Sequence, residues 1–108
     1  MKSVLFDQGV PVPLRNAFAG LARVETVYER GWATVQNGAL ILRAQASFDV
    51  FVTTDKNLRY QQNLTGRTLA IIVLPTTQWP KLRQQIDEIA KVVIAAEIGA
   101  FIEIASSV

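Results

Sequence analysis

Leu69-Ala70-Ile71-Ile72-Val73-Leu74 is an unbroken apolar run closed by Pro75. It does not alternate, so it is not a strand with one face in water. It is also far shorter than the roughly 20 residues of a membrane span. A run of this kind reads as a strand covered on both faces, which calls for a parallel sheet between helical layers. Asp49-Val50-Phe51-Val52-Thr53 reads the same way and ends at Thr54-Asp55.

The remaining segments fit that frame. Ser3 to Phe6 forms a short strand ending at Asp7. A loop with Gly9, Pro11 and Pro13 leads into a helix on which Leu14, Ala17, Phe18 and Leu21 share a face, with Gly20 marking its end. Val24 to Tyr28 is rich in strand formers and is broken by Gly31. Asn37-Gly38 is compatible with a hairpin or with the cap of a helix through Leu40, Leu42, Ala44 and Ala46; propensity favours the helix. Lys56 to Leu64 is a polar loop or short helix. Thr77 is placed to cap a long helix with Pro80 in its first turn and a core stripe of Leu82, Ile86, Ile89 and Val93. Val92 and Ile94 widen that face enough for a homodimer contact. Gly99 precedes a last strand, Phe101 to Ile104. The expectation is one domain over residues 1–108: an α/β fold, a three-layer α/β/α sandwich with a mostly parallel sheet of about five strands.

Composition narrows the chemistry. The chain has no cysteine and no histidine. That removes disulfides, thiolate metal sites, thiol catalysis, Ser-His-Asp triads and imidazole ligands. Acid–base or metal chemistry falls to the nine carboxylates. Val4-Leu5-Phe6 is too short an apolar region for a signal peptide, so the expected location is cytoplasmic, with no membrane partner. The net charge of +2 is unevenly spread: residues 56–86 carry Lys56, Arg59, Arg67, Lys81 and Arg83 and no acid. Such a stretch suits a polyanion, and equally a solvated face.

Ligands of open parallel sheets bind outside the carboxyl ends of the strands, and Asp7 and Asp55 both stand at such ends. Two carboxylates brought together there need a proton or a cation between them. Mg²⁺ or Mn²⁺ takes oxygen ligands, and magnesium often needs only one or two carboxylates, with water and phosphate completing its shell. Thr53 and Thr54 can orient the carboxylates, and Asn57 and Asn63 can act as polar supports. Lys56, Arg59 and Arg67 can grip a nucleic-acid backbone, and Trp32 and Tyr60 can stack on a base. Each residue also has a plainer role. Asp55 can be a helix cap, Asp7 a turn residue, Asp49 a solvated strand opener, and Trp32 and Tyr60 packing residues.

Phe6-Asp7-Gln8-Gly9-Val10 superficially resembles the opening of a haloacid-dehalogenase-type phosphatase, but Gly9 stands where that motif has its second acid. A receiver domain needs paired acids after the first strand and a lysine after the fifth; Asp7 is single and no lysine follows Ile104. A broader match runs through Val4-Leu5-Phe6-Asp7, Glu29-Arg30-Gly31-Trp32, Asn37-Gly38, Phe48 to Leu58 with its Thr53-Thr54-Asp55-Lys56-Asn57-Leu58, Tyr60-Gln61-Gln62-Asn63-Leu64 and Ala70 to Leu74. Through these segments the chain resembles the small single-domain PIN-like proteins, a branch of the PilT N-terminus nuclease superfamily related to toxin ribonucleases. The resemblance implies a PIN-like α/β/α fold, a Mg²⁺ or Mn²⁺ site and a metal-dependent endoribonuclease acting on RNA, often with a companion antitoxin protein. It implies Asp7 and Asp55 as catalytic and metal-binding residues, with Lys56, Arg59, Asn57 and Asn63 contacting nucleic acid. Relatives usually carry an acid at the start of the central helix, where this chain has Ala39. The alternative expectation is therefore a catalytically inactive PIN-like module that binds RNA or a protein partner. Phosphotransfer on Asp7 is a third reading.

Overall fold

Successive residues of the inner strands enter two separate cores, and that alternation organises the molecule. The computed structural model describes residues 1–58 and 66–106. Its elements are β1 (Lys2–Phe6), a 3-10 helix (Val12–Phe18), β2 (Ala22–Thr26), α1 (Asn37–Ser47), β3 (Val50–Thr53), β4 (Ala70–Val73), α2 (Trp79–Leu82), a 3-10 turn (Arg83–Gln85), α3 (Ile86–Ala95) and β5 (Phe101–Glu103). The five strands form one all-parallel sheet in the order β2-β1-β3-β4-β5. Val4, Phe6, Val50, Val52, Ala70, Ile72 and Leu74 face a core closed by Leu14, Phe18, Leu82, Ile89 and Val93. Leu5, Phe51, Leu69, Ile71 and Val73 face the other, closed by Leu40, Ile41, Ala44 and Leu58. The continuous run at Leu69 to Leu74 is thus buried on both sides, for the reason its sequence suggested.

Several boundaries moved for local reasons. The helix expected after Pro13 is a 3-10 helix, with Leu14 N–H bonded to the Pro11 carbonyl at 3.1 Å and Leu21 beyond its end. β2 stops at Thr26 because a reciprocal turn begins there. The Thr26 N–H donates to Glu29 Oε1 at 2.8 Å and the Glu29 N–H to Thr26 Oγ1 at 3.1 Å. Asn37-Gly38 opens a helix, but the cap position is Gln36, which makes no side-chain capping bond. Gln78, not Thr77, precedes α2, and the long helix is interrupted. At the interruption Gln85 leaves helical geometry (φ −116, ψ 15) and its buried amide donates to Glu88 Oε1 and the Ala105 carbonyl, each at 2.8 Å. The apolar stripe survives: Leu82, Ile89 and Val93 are fully buried and Ile86 is half-buried. Among the described residues no helix is long and apolar enough to cross a membrane.

β1 and the end of α3 meet at the amino edge of the sheet. Lys2 Nζ donates to the Ala96 carbonyl at 2.6 Å and the Val93 carbonyl at 3.3 Å. A cation there adds a donor at the carbonyls closing α3, of which the Val93 carbonyl also accepts from the Ala96 N–H at 3.4 Å, and it opposes the helix dipole. Lys2→Met keeps the aliphatic stem and removes the charge. The expected loss is about 1–2 kcal/mol, read as a lower urea midpoint at unchanged slope.

Candidate functional site

In strand order 2-1-3-4-5, β1 and β3 are neighbours and their connections leave to opposite faces; their carboxyl ends form the switch point where such sheets bind ligands. Asp7 follows β1 directly. Its backbone N–H donates to the Val52 carbonyl at 2.9 Å, which keeps it in register with β3. Thr53 closes β3 and is fully buried. Its hydroxyl donates to Asp7 Oδ2 at 2.8 Å and accepts from the Asp55 N–H at 3.1 Å. One hydroxyl therefore joins the first aspartate to the backbone of the second. Asp7 Oδ1 accepts from the Gln8 N–H at 2.9 Å.

Asp55 is tied down more tightly than its sequence context required. Oδ1 accepts from the Asn57 N–H at 2.9 Å, an Asx turn, and Oδ2 accepts from Asn37 Nδ2 at 3.0 Å. Asn37 is the first residue of α1, so the amino end of that helix abuts Asp55. The site's other wall is the loop after Asp7. A Cβ built on Gly9 would lie 2.2 Å from Thr54 Oγ1 and 3.7 Å from Thr77 Cγ2. Only glycine lets that loop lie on the β3 turn without displacing Thr54.

The donor atoms present fit the expected cation. Each oxygen of Asp7 and Asp55 accepts one of these hydrogen bonds and keeps a second lone pair. Both aspartates are half-buried, not sealed. Among the described residues no three Asp, Glu, His or Cys side chains converge on one point. Two hard carboxylates suit Mg²⁺ or Mn²⁺ with a shell mostly of water and substrate oxygen, and suit no thiophilic metal. Asp7 and Asp55 are the residues that would hold it.

The other expected site residues divide. Lys56 and Asn57 are exposed on the turn after Asp55. Lys56 also lines a pocket of about 210 Å³ with Pro75, Glu103 and Ser106 beyond β4 and β5. Arg59, Tyr60 and Asn63 lie outside the described residues. Trp32 packs edge-on to Phe48 at 6.3 Å, under the Arg30 guanidinium at 4.7 Å, so packing is its observed role. Asp49 is exposed and accepts from the Ser3 N–H at 2.9 Å. Ala39 is exposed on the first turn of α1. Glu29 does not stand in for the missing helix acid: it accepts from Thr26 N–H and pairs with Arg15. The Thr26 amide, then Arg15, hold its carboxyl below the usual range. Asn37 was not a candidate from sequence, because its partner stands 18 residues away on another element.

No family model matches the chain, and no curated protein or solved structure matches it either.

Proposed function

We propose that the protein is a small metal-dependent endoribonuclease of the PIN-like, toxin–antitoxin type, acting on RNA phosphodiesters at the carboxyl ends of β1 and β3. The observation that carries this reading is the Thr53 hydroxyl, which ties the Asp7 carboxylate to the start of the Asp55 turn at the switch point. When bound, Mg²⁺ or Mn²⁺ would lower the pKa of a water and offset charge building on the phosphodiester. The chain's own residues do the rest. Asp7 and Asp55 supply hard oxygens. Thr53 fixes the orientation of Asp7 so that it is preset before RNA arrives. Lys56 and Asn57, exposed beside Asp55, hold the RNA backbone, and Arg59 and Asn63 are proposed to extend that contact. A companion antitoxin protein is the expected partner of such an enzyme.

A second reading is favoured by one observation: Asn37 occupies Asp55 Oδ2 at the helix end where Ala39 offers no carboxylate. In that reading the protein is a catalytically silent PIN-like module that binds RNA or a protein partner.

The deciding experiment is RNA cleavage in Mn²⁺ by the wild type and by Asp7→Asn prepared identically. The nuclease reading expects cleavage by the wild type alone and a loss above about 100-fold in the variant, with an unchanged circular-dichroism spectrum. Equal cleavage by both removes Asp7 from the reaction. RNA binding that survives EDTA, with no cleavage by either protein, establishes the silent module.

A further inference from the structure

The carboxyl edge of the sheet continues past the aspartates. Thr53, Val73 and Glu103 stand in register at the ends of β3, β4 and β5, and the pocket of about 210 Å³ opens beyond the last two. Its apolar lining is Val73, Leu74, Pro75 and Ile104, and its polar lining is Lys56, Glu103 and Ser106. The apolar part is held by the sheet itself. The Leu74 N–H donates to the Thr53 carbonyl at 2.8 Å, and the Ile104 N–H to the Val73 carbonyl at 2.9 Å. The surface is therefore largely set before a ligand arrives. Lys56 follows Asp55 directly, so the pocket and the aspartates share one turn.

The lining selects the ligand. A drug-sized site takes about 300 Å³ or more, so this pocket suits a single small ring system. Lys56 only donates, an ionised Glu103 only accepts, and Ser106 does both. A bare anion would face Glu103, and a bare cation would face Lys56. A neutral, flat ligand with paired donors and an acceptor beside them satisfies both. Among the RNA bases, guanine has that edge. Its N1–H and N2 amino group are adjacent donors that match the two oxygens of one carboxylate, and its O6 accepts from an ammonium. Adenine and cytosine offer one donor group with a ring acceptor beside it, and uracil one donor between two acceptors. Each of these sets a carboxylate oxygen against a lone pair. A carboxylate has about four lone-pair sites, so Glu103 receives a base edge beside any contact it makes within the chain. The edge in question is open only in an unpaired base, which points to single-stranded RNA.

We infer that this pocket is a specificity site for a guanine base of single-stranded RNA, beside the bond cut at Asp7 and Asp55. Glu103 accepts from N1–H and the N2 amino group, and Lys56 donates to O6. The Lys56 ammonium has three donors, so it serves O6 and the adjoining phosphate together. From Thr53 to Glu103 is two strand spacings, roughly 10 Å, a span that one nucleotide with its phosphate at Asp55 covers. The RNA in this inference rests on the nuclease reading; the choice of base rests on the pocket alone.

An amide-resolved NMR titration of the full chain in EDTA tests it, with the 5′-monophosphates of guanosine, inosine, adenosine, cytidine and uridine. The phosphate is common to all five, so differences report the base. The guanosine nucleotide is expected to shift the amides of Val73, Leu74 and Ile104 and to bind at least about ten-fold more tightly than the others. Inosine is the sharpest comparison, because it lacks only the N2 amino group, and it needs no variant. Glu103→Gln should bring the guanosine nucleotide down to the inosine level. Equal affinity for the five, or shifts that miss Val73, Leu74 and Ile104, overturns the inference. So does a guanosine preference unchanged in a folded Glu103→Gln. RNA cleavage in Mn²⁺ separates the two readings. A wild type that cuts RNA without regard to guanine, and does not select its nucleotide, keeps the nuclease and loses the guanine site. A wild type that selects the guanosine nucleotide and cuts no RNA keeps the guanine site and loses the nuclease.

Discussion

Phe6→Ala is expected to cost about 3–5 kcal/mol, a large part of the roughly 5–15 kcal/mol that holds a domain of this kind together. Phe6 is fully buried as the last residue of β1. Its ring meets Phe18 edge-on, with centroids 6.0 Å apart and planes at 74°. It is also the residue before Asp7. Its loss opens a void beneath the 3-10 helix and releases the strand end that presents the aspartate. Urea unfolding should show a strongly lowered midpoint at unchanged slope. Leu42→Ala, on the 71% exposed outer face of α1, should leave the midpoint nearly where it was. A Phe6→Ala loss below about 1 kcal/mol would mean that Phe18 collapses into the space, and that the two rings do not pin β1 as described.

Thr53→Val is the sharper test of the site, because the shapes are nearly the same and only the hydroxyl goes. That hydroxyl is fully buried and serves Asp7 and the Asp55 amide together. Replacing it leaves the Asp55 N–H without its acceptor and one oxygen of Asp7 without its donor. The expected stability loss is about 1–3 kcal/mol. On the proposed reading, Mn²⁺ affinity, followed by titration calorimetry, falls about 10–100-fold. Thr53→Val combined with Asp7→Asn should lose far less than the sum of the separate losses, since both act on one bond. Wild-type Mn²⁺ affinity in Thr53→Val would remove Thr53 from any role in orienting Asp7.

Much of the fold was legible because the strands are buried on both faces. Their apolar runs at Val50 to Val52 and Leu69 to Leu74 have no polar reading to compete with. Asp55 at a strand end followed from the first of these runs and Asp7 from the short strand Ser3 to Phe6, and Thr53 was named as an orienting residue. Strand order was not legible: nothing local says that β3 inserts beside β1 and not beside β2. The broken helix after Pro80 was hidden for a related reason. Gln85 has ordinary helix propensity, and only its distant acceptor, the Ala105 carbonyl, explains the departure there. Asn37 escaped in the same way. A capping residue and a residue that reaches across to another loop look alike until the loop is in place. At Gln85 and Asn37, legibility failed because a side chain answered to a partner remote in the chain.

The position of β1 in the sheet has a consequence for synthesis. β1 emerges from the ribosome before both of its neighbours, yet it lies inside the sheet, between β2 and β3. Once β2 has paired with it, the other edge of Val4, Leu5 and Phe6 waits for Val50 to Val52. About 27 residues separate the ends of β2 and β3, or about 1–5 s at ordinary elongation rates. For that interval the nascent chain carries a bare apolar strand edge, the kind of surface that captures other chains or a chaperone. Slowing translation between codons 27 and 53 should therefore lower the soluble yield more than the same delay placed after codon 73, when the central strands have already been made.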